Sequence, residues 1–127
     1  MSLDDVLAEL RKTYLEALPA RADLIAKLHA NSQYAEVKTE FHKLKGTGKT
    51  YGLPEVSSIA EIAERLVELG TASADPSIPV ALNALRKVTS SRAAGAPLDL
   101  TSDEDFLYLT ELARTLRDTA SGSTKRN

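Results

Sequence analysis

Apolar residues recur at spacings of three and four along most of the chain, and no stretch alternates with a period of two for long. This spacing places apolar side chains on one face of an α-helix. Six helical segments are predicted from it. Their apolar positions span 3–18, 24–28, 34–51, 56–67, 78–88 and 106–116. The pattern therefore predicts an all-α fold, an antiparallel helical bundle with short connections.

Prolines and glycines suggest where the first four segments begin and end. Pro19 is expected to break or kink the first helical stretch, because proline removes a backbone donor and clashes with the preceding turn. Ser32 is a candidate N-cap for the third helix, and Gly52 is suited to end that helix in the left-handed conformation. Pro54 opens the fourth helix, where proline is tolerated in the first turn, and Gly70 is expected to end it.

The last third of the chain carries similar signals. Asp75 and Pro76 are expected to start the fifth helix, and a loop containing glycine and proline follows over 93–100. Thr101 and Glu104 have the spacing of a capping box, which predicts a last helix over 102–119. The polar residues 121–127 are predicted to be a disordered tail. We therefore expect one domain over residues 1–120.

Composition narrows the class of protein. The chain has 127 residues, and 18 acidic against 16 basic residues give a net charge of -2, so no bulk attraction for nucleic acid or anionic membranes is expected. The absence of cysteine excludes disulfides, thiolate zinc sites and a cysteine nucleophile. No apolar run approaches the roughly 20 residues of a membrane span, and the N-terminus lacks the pattern of a signal peptide. A cytoplasmic, single-domain protein is expected.

The third helix contains two glycines, a residue type that is unfavourable inside a helix. Gly46 and Gly48 both lie inside it, and each glycine costs a helix about 1 kcal/mol relative to alanine. Gly48 falls on the apolar seam, where it would let a neighbouring helix approach closely. Gly46 lies about 170° from that seam, so helix packing alone gives no reason for it.

One outward face of the same helix combines an imidazole with ammonium groups. His42, Lys38, Lys45, Lys49 and Gly46 all point to this side at about 100° per residue. Residues 37–51 carry a net charge of +3, while the rest of the chain carries -5. A neutral imidazole is a competent nucleophile, lysines would stabilise phosphoryl oxygens, and glycine would leave room for a partner. The alternative is a solvated lysine-rich face with an incidental histidine.

The segment His42-Lys-Leu-Lys45-Gly46, followed by Gly52-Leu53, resembles the signature of histidine phosphotransfer (HPt) domains. The resemblance extends over about residues 3–90 and implies a four-helix core with additional helical segments at both ends. It implies that His42 is the phosphorylated residue, Lys45 the basic neighbour of the phosphoryl group, Gly46 the clearance for a partner and Gly52 the turn into the next helix.

Two features depart from the family pattern. Lys49 stands where these domains more often have a small residue, which bears on partner choice; with Lys38 it is assigned to partner docking. The helix predicted over 102–119 exceeds the minimal four-helix core, so its role is open.

The resemblance implies a phosphoryl carrier in a two-component phosphorelay. Its partners would be a response-regulator receiver domain, a sensor histidine kinase, or both. No cofactor is expected, because magnesium would be bound by the receiver, and no kinase or ATP-binding activity is expected of the chain itself. The alternative function is a helical-bundle interaction module that is not phosphorylated.

Other candidate sites are weaker. The segment 46–50 copies the end of a nucleotide-binding P-loop, but Lys43 stands where the pattern requires its first glycine, and an amphipathic helix would run through the loop. His29 is interpreted as an ordinary helix-end residue. The carboxylates of the fourth helix are interpreted mostly as its solvated face, without a second histidine to make a metal site. They are Glu55, Glu61, Glu64 and Glu68.

Overall fold

The computed structural model describes residues 1–125, and within that range the chain forms five α-helices and no strand. The helices are α1 (Leu3–Ala30), α2 (Tyr34–Thr50), α3 (Pro54–Glu68), α4 (Thr71–Ala93) and α5 (Glu104–Lys125). Helices adjacent in sequence are joined by short turns except for the loop before α5, and they pack side by side in an antiparallel bundle. The predicted all-α fold is confirmed. Within the described residues, no helix is both long and apolar enough to cross a membrane.

Helix α1 is continuous where two helical segments were predicted. Pro19 lies inside its 28 residues, so the predicted break is wrong. Proline removes one hydrogen bond of the helix. Leu18 precedes the proline and Ala22 and Ile25 follow it, and all three are buried on one face. Burying that face on both sides of the proline offsets the lost hydrogen bond and keeps the helix in one piece.

The turn between α1 and α2 corrects the role predicted for Ser32. Ser32 has φ 57°, and its amide donates to the carbonyl of His29 at 2.9 Å, while the amide of Gln33 donates to Leu28 at 2.9 Å. This pair of bonds is a Schellman motif, which closes the end of α1. Ser32 therefore ends the first helix, and Gln33 holds the N-cap position of α2.

The turn between α2 and α3 agrees with the prediction from sequence. Gly52 has φ 77°, and the amide of Leu53 donates to the carbonyl of Gly48 at 2.8 Å. Pro54 is the first residue of α3, as expected. A Cβ added at Gly48 would lie 2.9 Å from the backbone nitrogen of Ser57, so glycine at that position allows α2 and α3 to pack closely.

Helix α4 begins earlier than predicted. It starts at Thr71, directly after Gly70 with φ 115°, and both Pro76 and Pro79 lie inside it. The amide of Ala74 already donates to the carbonyl of Gly70 at 2.9 Å. Asp75 and Pro76 are therefore not a start signal here, because the preceding residues form a helical turn on a buried face.

Helix α5 has a different cap from the predicted one. Its N-terminal amide at Phe106 donates to the carboxylate of Asp103 at 2.9 Å, so Asp103 takes the capping position assigned to Thr101. The helix is described as far as Lys125, beyond the end predicted at residue 119. Residues 126 and 127 of the predicted tail lie outside the described residues.

The core lies between all five helices. Helix α3 contributes the apolar face predicted from its spacing, and α5 adds Leu109 and Ala113. The largest fully buried side chains include Phe41, Leu44, Ile59, Leu66, Ile78, Leu85 and Leu109. Phe41 and Leu44 face this core, so His42 and Lys43, which lie between them, are turned toward the surface of α2.

Candidate functional site

His42 lies in the middle of α2 with its imidazole 68% exposed. Its Nδ1 is 2.7 Å from Oε2 of Glu64 on α3. The Glu64 side chain is only 10% exposed, so the carboxylate is held against the bundle while the ring projects outward. The pair joins two helices whose close approach depends on Gly48.

The hydrogen bond to Glu64 determines which imidazole nitrogen can react. An ionised carboxylate only accepts hydrogen bonds, so the proton of a neutral ring lies on Nδ1. Nε2 then keeps its lone pair on the exposed part of the ring. The unprotonated nitrogen therefore lies on the side of the ring away from Glu64, while the carboxylate holds the other side.

Lys45 shares the same carboxylate. Its Nζ is 3.4 Å from Oε1 of Glu64, and its side chain is 39% exposed. The hydroxyl of Ser57 donates to the backbone carbonyl of Lys45 at 2.7 Å, which ties this turn of α2 to α3. Glu64 thus holds an imidazole with one oxygen and an ammonium group with the other.

The remaining lysines of the face are placed differently. Nζ of Lys38 lies 3.2 Å from Oε1 of Glu68, which is one turn beyond Glu64 on α3. Lys49 is exposed and lines a groove together with Lys45. The structure therefore brings His42, Lys38, Lys45 and Lys49 to one surface of the α2–α3 pair.

The interpretation of the α3 carboxylates as a solvated face is wrong for two of the four. Glu64 is buried beneath His42, and Glu55 is buried and accepts from Arg92 at 2.8 and 2.9 Å. Burial raises the pKa of Glu55, but the hydrogen bonds from Arg92, the hydrogen bonds from backbone amides and the charge of Arg92 together outweigh it and leave the pKa below its ordinary value. Glu61 and Glu68 are exposed, as predicted.

A signal for Glu64 was present in the sequence. On a helical wheel, Glu55 and Glu64 lie about 80–100° from the centre of the apolar stripe of α3, whereas Glu61 and Glu68 lie about 140–160° away. Residues at the edges of a buried stripe contact neighbouring helices. The wheel cannot show that the neighbour of Glu64 is His42, because that depends on how α2 and α3 align.

Gly46 lies on the exposed surface one turn after His42. A Cβ added to it would meet no atom of the described chain within 4 Å. Packing within the protein therefore does not require glycine at this position, which separates Gly46 from Gly48. The segment 46–50 is helical, which a phosphate-binding P-loop is not, so the structure does not support nucleotide binding there.

His29 lies in the last turn of α1 in a second cluster. Its Nε2 is 2.9 Å from Oδ1 of Asp75, and the hydroxyl of Tyr34 donates to the same oxygen at 2.5 Å. The hydrogen bonds from Tyr34 and His29 hold the pKa of Asp75 below its ordinary value. These contacts connect the end of α1, the start of α2 and the first turns of α4.

In the part of the chain that the structure describes, no group of three or more histidine, aspartate or glutamate side chains is arranged to hold a metal ion.

Comparison with known proteins gives one family. The family model described as "Hpt domain" matches residues 9–94, about two thirds of the chain. The matched segment contains most of α1 and the whole of α2, α3 and α4, and it includes both His42 and Glu64. Helix α5 lies beyond it. No curated protein and no solved structure gives a significant match.

Proposed function

Because the chain belongs to the Hpt domain family, we propose that it carries phosphoryl groups between proteins of a two-component phosphorelay, with His42 as the acceptor. The donor is a phosphoaspartate on a receiver domain or a sensor histidine kinase, and the recipient is a receiver-domain aspartate. The observation that carries the proposal is the contact between Nδ1 of His42 and Glu64, which leaves Nε2 without a hydrogen-bond partner among the described residues on a ring that is 68% exposed. The proposed partners imply action in the cytoplasm.

The proposed step is a nucleophilic displacement at phosphorus. The Nε2 lone pair of His42 forms an N–P bond while the P–O bond to the donor aspartate breaks, and the electron pair of that bond leaves on the carboxylate. The Nδ1 proton stays in its hydrogen bond to Glu64. In the return step a receiver carboxylate attacks phosphorus, and the electron pair of the N–P bond goes back to Nε2.

Glu64 supplies electrostatic stabilisation during both steps. The ring gains positive charge as Nε2 bonds to phosphorus, and the buried carboxylate lies 2.7 Å from the opposite nitrogen. A fixed negative charge at that distance stabilises the developing cation, and it needs no reorganisation when the reaction occurs. Glu64 is therefore a positioning and charge-stabilising residue, while the phosphoryl group itself is carried by His42.

Lysines and glycine complete the proposed site. Lys45 contacts the same carboxylate as His42 and offers an ammonium group to the phosphoryl oxygens. Lys38 and Lys49 lie on the same surface and are assigned to docking of an acidic partner. Gly46 leaves the surface open where the active site of a receiver would approach His42.

The test is transfer from a panel of receiver domains that carry labelled phosphoaspartate. We expect at least one of them to pass its label to the chain, in an acid-labile, base-stable form typical of phosphohistidine. Incubation with labelled ATP alone is the control and should leave the chain unlabelled. If receivers bind the folded protein but none transfers label, the chain is an interaction module and the carrier function is wrong. ATP binding lost in Lys49→Ala would instead support the nucleotide site.

A further inference from the structure

A continuous surface connects the His42 site to α5. A groove of about 370 Å³ between α2 and α3 is lined by Lys45, Lys49, Pro54, Ser57, Ser58 and Glu61. A second groove of about 300 Å³ between α3 and α5 is lined by Ser58, Glu61, Ile62, Arg65, Phe106 and Thr110. Ser58 and Glu61 belong to both grooves, so they form a ridge on α3 with a groove on each side.

The first groove adjoins the proposed phosphoryl site. Lys45 lines it and also contacts Glu64, which holds the imidazole of His42. A partner that brings an aspartate to Nε2 of His42 would therefore cover this groove. Packed helices lie about 8–10 Å apart, so the second groove is one helix further from the reacting nitrogen. An interface of ordinary size, about 800 Å² on each partner, reaches that distance.

The second groove has the composition of a docking surface. Phe106 and Ile62 are half-buried and apolar, and the exposed Arg65 lies beside them. Aromatic residues and arginine are enriched in protein interfaces. Together with Lys45 and Lys49, Arg65 makes the two grooves basic on balance against Glu61. This charge complements a receiver, whose phosphorylated aspartate lies among the carboxylates that bind magnesium.

We propose that α5 is part of the docking surface for the receiver domain, with Phe106 and Thr110 contacting the receiver across the second groove. This inference rests on the proposed function. The family match ends at residue 94, so the contribution of α5 belongs to this chain beyond the matched segment. Helix α5 would then influence which receiver is accepted, while α2 and α3 hold the reacting groups.

The experiment separates reaction at His42 from docking. Phosphoramidate, a small donor that needs no docking surface, is used to phosphorylate the wild-type chain and the variants Thr110→Glu and Tyr108→Glu. Thr110 faces the second groove, whereas Tyr108 is 44% exposed on the same helix and does not line it. The rate of transfer to a receiver that accepts from the wild type is then measured, with a thermal melt of each variant.

Labelling by phosphoramidate should be equal in all three proteins. For Thr110→Glu we expect transfer to the receiver to fall about tenfold, because a carboxylate would face the acidic partner within the interface. Tyr108→Glu adds the same charge outside the groove and should stay within about twofold of the wild type. Equal rates of transfer to the receiver for Thr110→Glu and Tyr108→Glu would overturn the role of α5 and leave the proposed function intact.

A second measurement does not depend on a substitution. Backbone amide signals of the isotope-labelled wild-type chain are followed by NMR as a receiver without isotope label is added. Signals of α2, of the α3 ridge and of Phe106 and Thr110 should shift together. Shifts confined to α2 and α3 would overturn the proposal. If no receiver takes the phosphoryl group from the phosphorylated wild type, the proposed function fails, and this inference fails with it.

Discussion

Both histidines of this chain contact a carboxylate, but the burial of the two partners is reversed. At His42 the imidazole is 68% exposed and the Glu64 side chain 10% exposed. At His29 the imidazole is 21% exposed and the Asp75 side chain 55% exposed. The distances are similar, 2.7 Å and 2.9 Å. A histidine–carboxylate contact is therefore not by itself the mark of a reactive site.

The surroundings explain the difference. Glu64 is fixed beneath an outward ring and leaves Nε2 open to a partner. Asp75 uses one oxygen for both His29 and the hydroxyl of Tyr34, at a point where three helix ends meet. The imidazole of His29 uses Nε2 for that contact, so the nitrogen that is free at His42 is engaged at His29. The first arrangement leaves a ring nitrogen available for the proposed transfer, and the second connects helices.

The largest expected effect comes from replacing the two histidines separately. His42→Gln should abolish acid-labile labelling by phospho-receivers, because it removes the exposed nucleophile. His29→Gln is the matched control and should be labelled like the wild type. Both variants should keep the helical content, measured by circular dichroism. Label on the His42→Gln protein would refute the assignment.

Glu64→Gln should slow transfer by about tenfold to a hundredfold, by analogy with the loss of a carboxylate that orients a metal-ligating histidine. Glutamine can still accept from Nδ1, but it lacks the charge that stabilises the ring as the N–P bond forms. Asp75→Asn, the equivalent change at the second histidine, should leave the transfer rate unchanged. The measurement is single-turnover transfer at neutral pH, and equal rates in both variants would remove Glu64 from the mechanism.

Two substitutions at Gly46 distinguish an effect on stability from an effect on docking. Gly46→Ala should stabilise the protein by up to about 1 kcal/mol, because alanine is the better helix former and its Cβ has open space. Gly46→Gln should fold but transfer about tenfold more slowly, since its side chain obstructs the receiver. Thermal melts are paired with transfer rates. An unfolded Gly46→Gln protein would show that packing requires the glycine, and normal transfer would show that the receiver does not cover this turn.

Lys45→Ala tests the ammonium group beside the site. The side chain is partly exposed, so its ion pair with Glu64 should contribute less than about 1 kcal/mol to stability. We expect little change in the melting temperature but a severalfold slower transfer or a shorter phosphohistidine lifetime. Unchanged transfer and lifetime would leave Lys45 as part of a solvated face.

The smallest expected effect concerns the acid stability of the His29 cluster. Hydrogen bonds from Tyr34 and His29 lower the pKa of Asp75 below its ordinary 3.8. A lowered carboxyl pKa contributes stability above pH 3.8 that is lost as the pH falls through the native value. The stability advantage of the wild type over Asp75→Asn should therefore shrink below pH 3.8 in thermal melts. A constant difference down to pH 2 would show that ionisation of Asp75 does not stabilise the fold.

Several parts of the candidate site could be predicted because they lie on one helix. His42, Lys45 and Gly46 share a face at 3.6 residues per turn, and the sequence alone places them together. Glu64 was missed as a partner because it lies 22 residues away on another helix. Its register against α2 depends on the close packing at Gly48 and on the turn at Gly52. A helical wheel shows neither the close packing of the two helices nor the turn between them.

The sequence by itself determined the all-α class, the apolar faces of the helices, the turn at Gly52 and the basic face around His42, because all of these follow from local geometry and short-range spacing. Only the tertiary structure decided that α1 continues through Pro19, that α4 starts before Pro76 and that Glu64 holds His42. Each of these depends on which faces are buried against each other, and burial of a long apolar face outweighs a local breaking signal. The position of α5 beside the α3 ridge likewise depends on which faces are buried against each other.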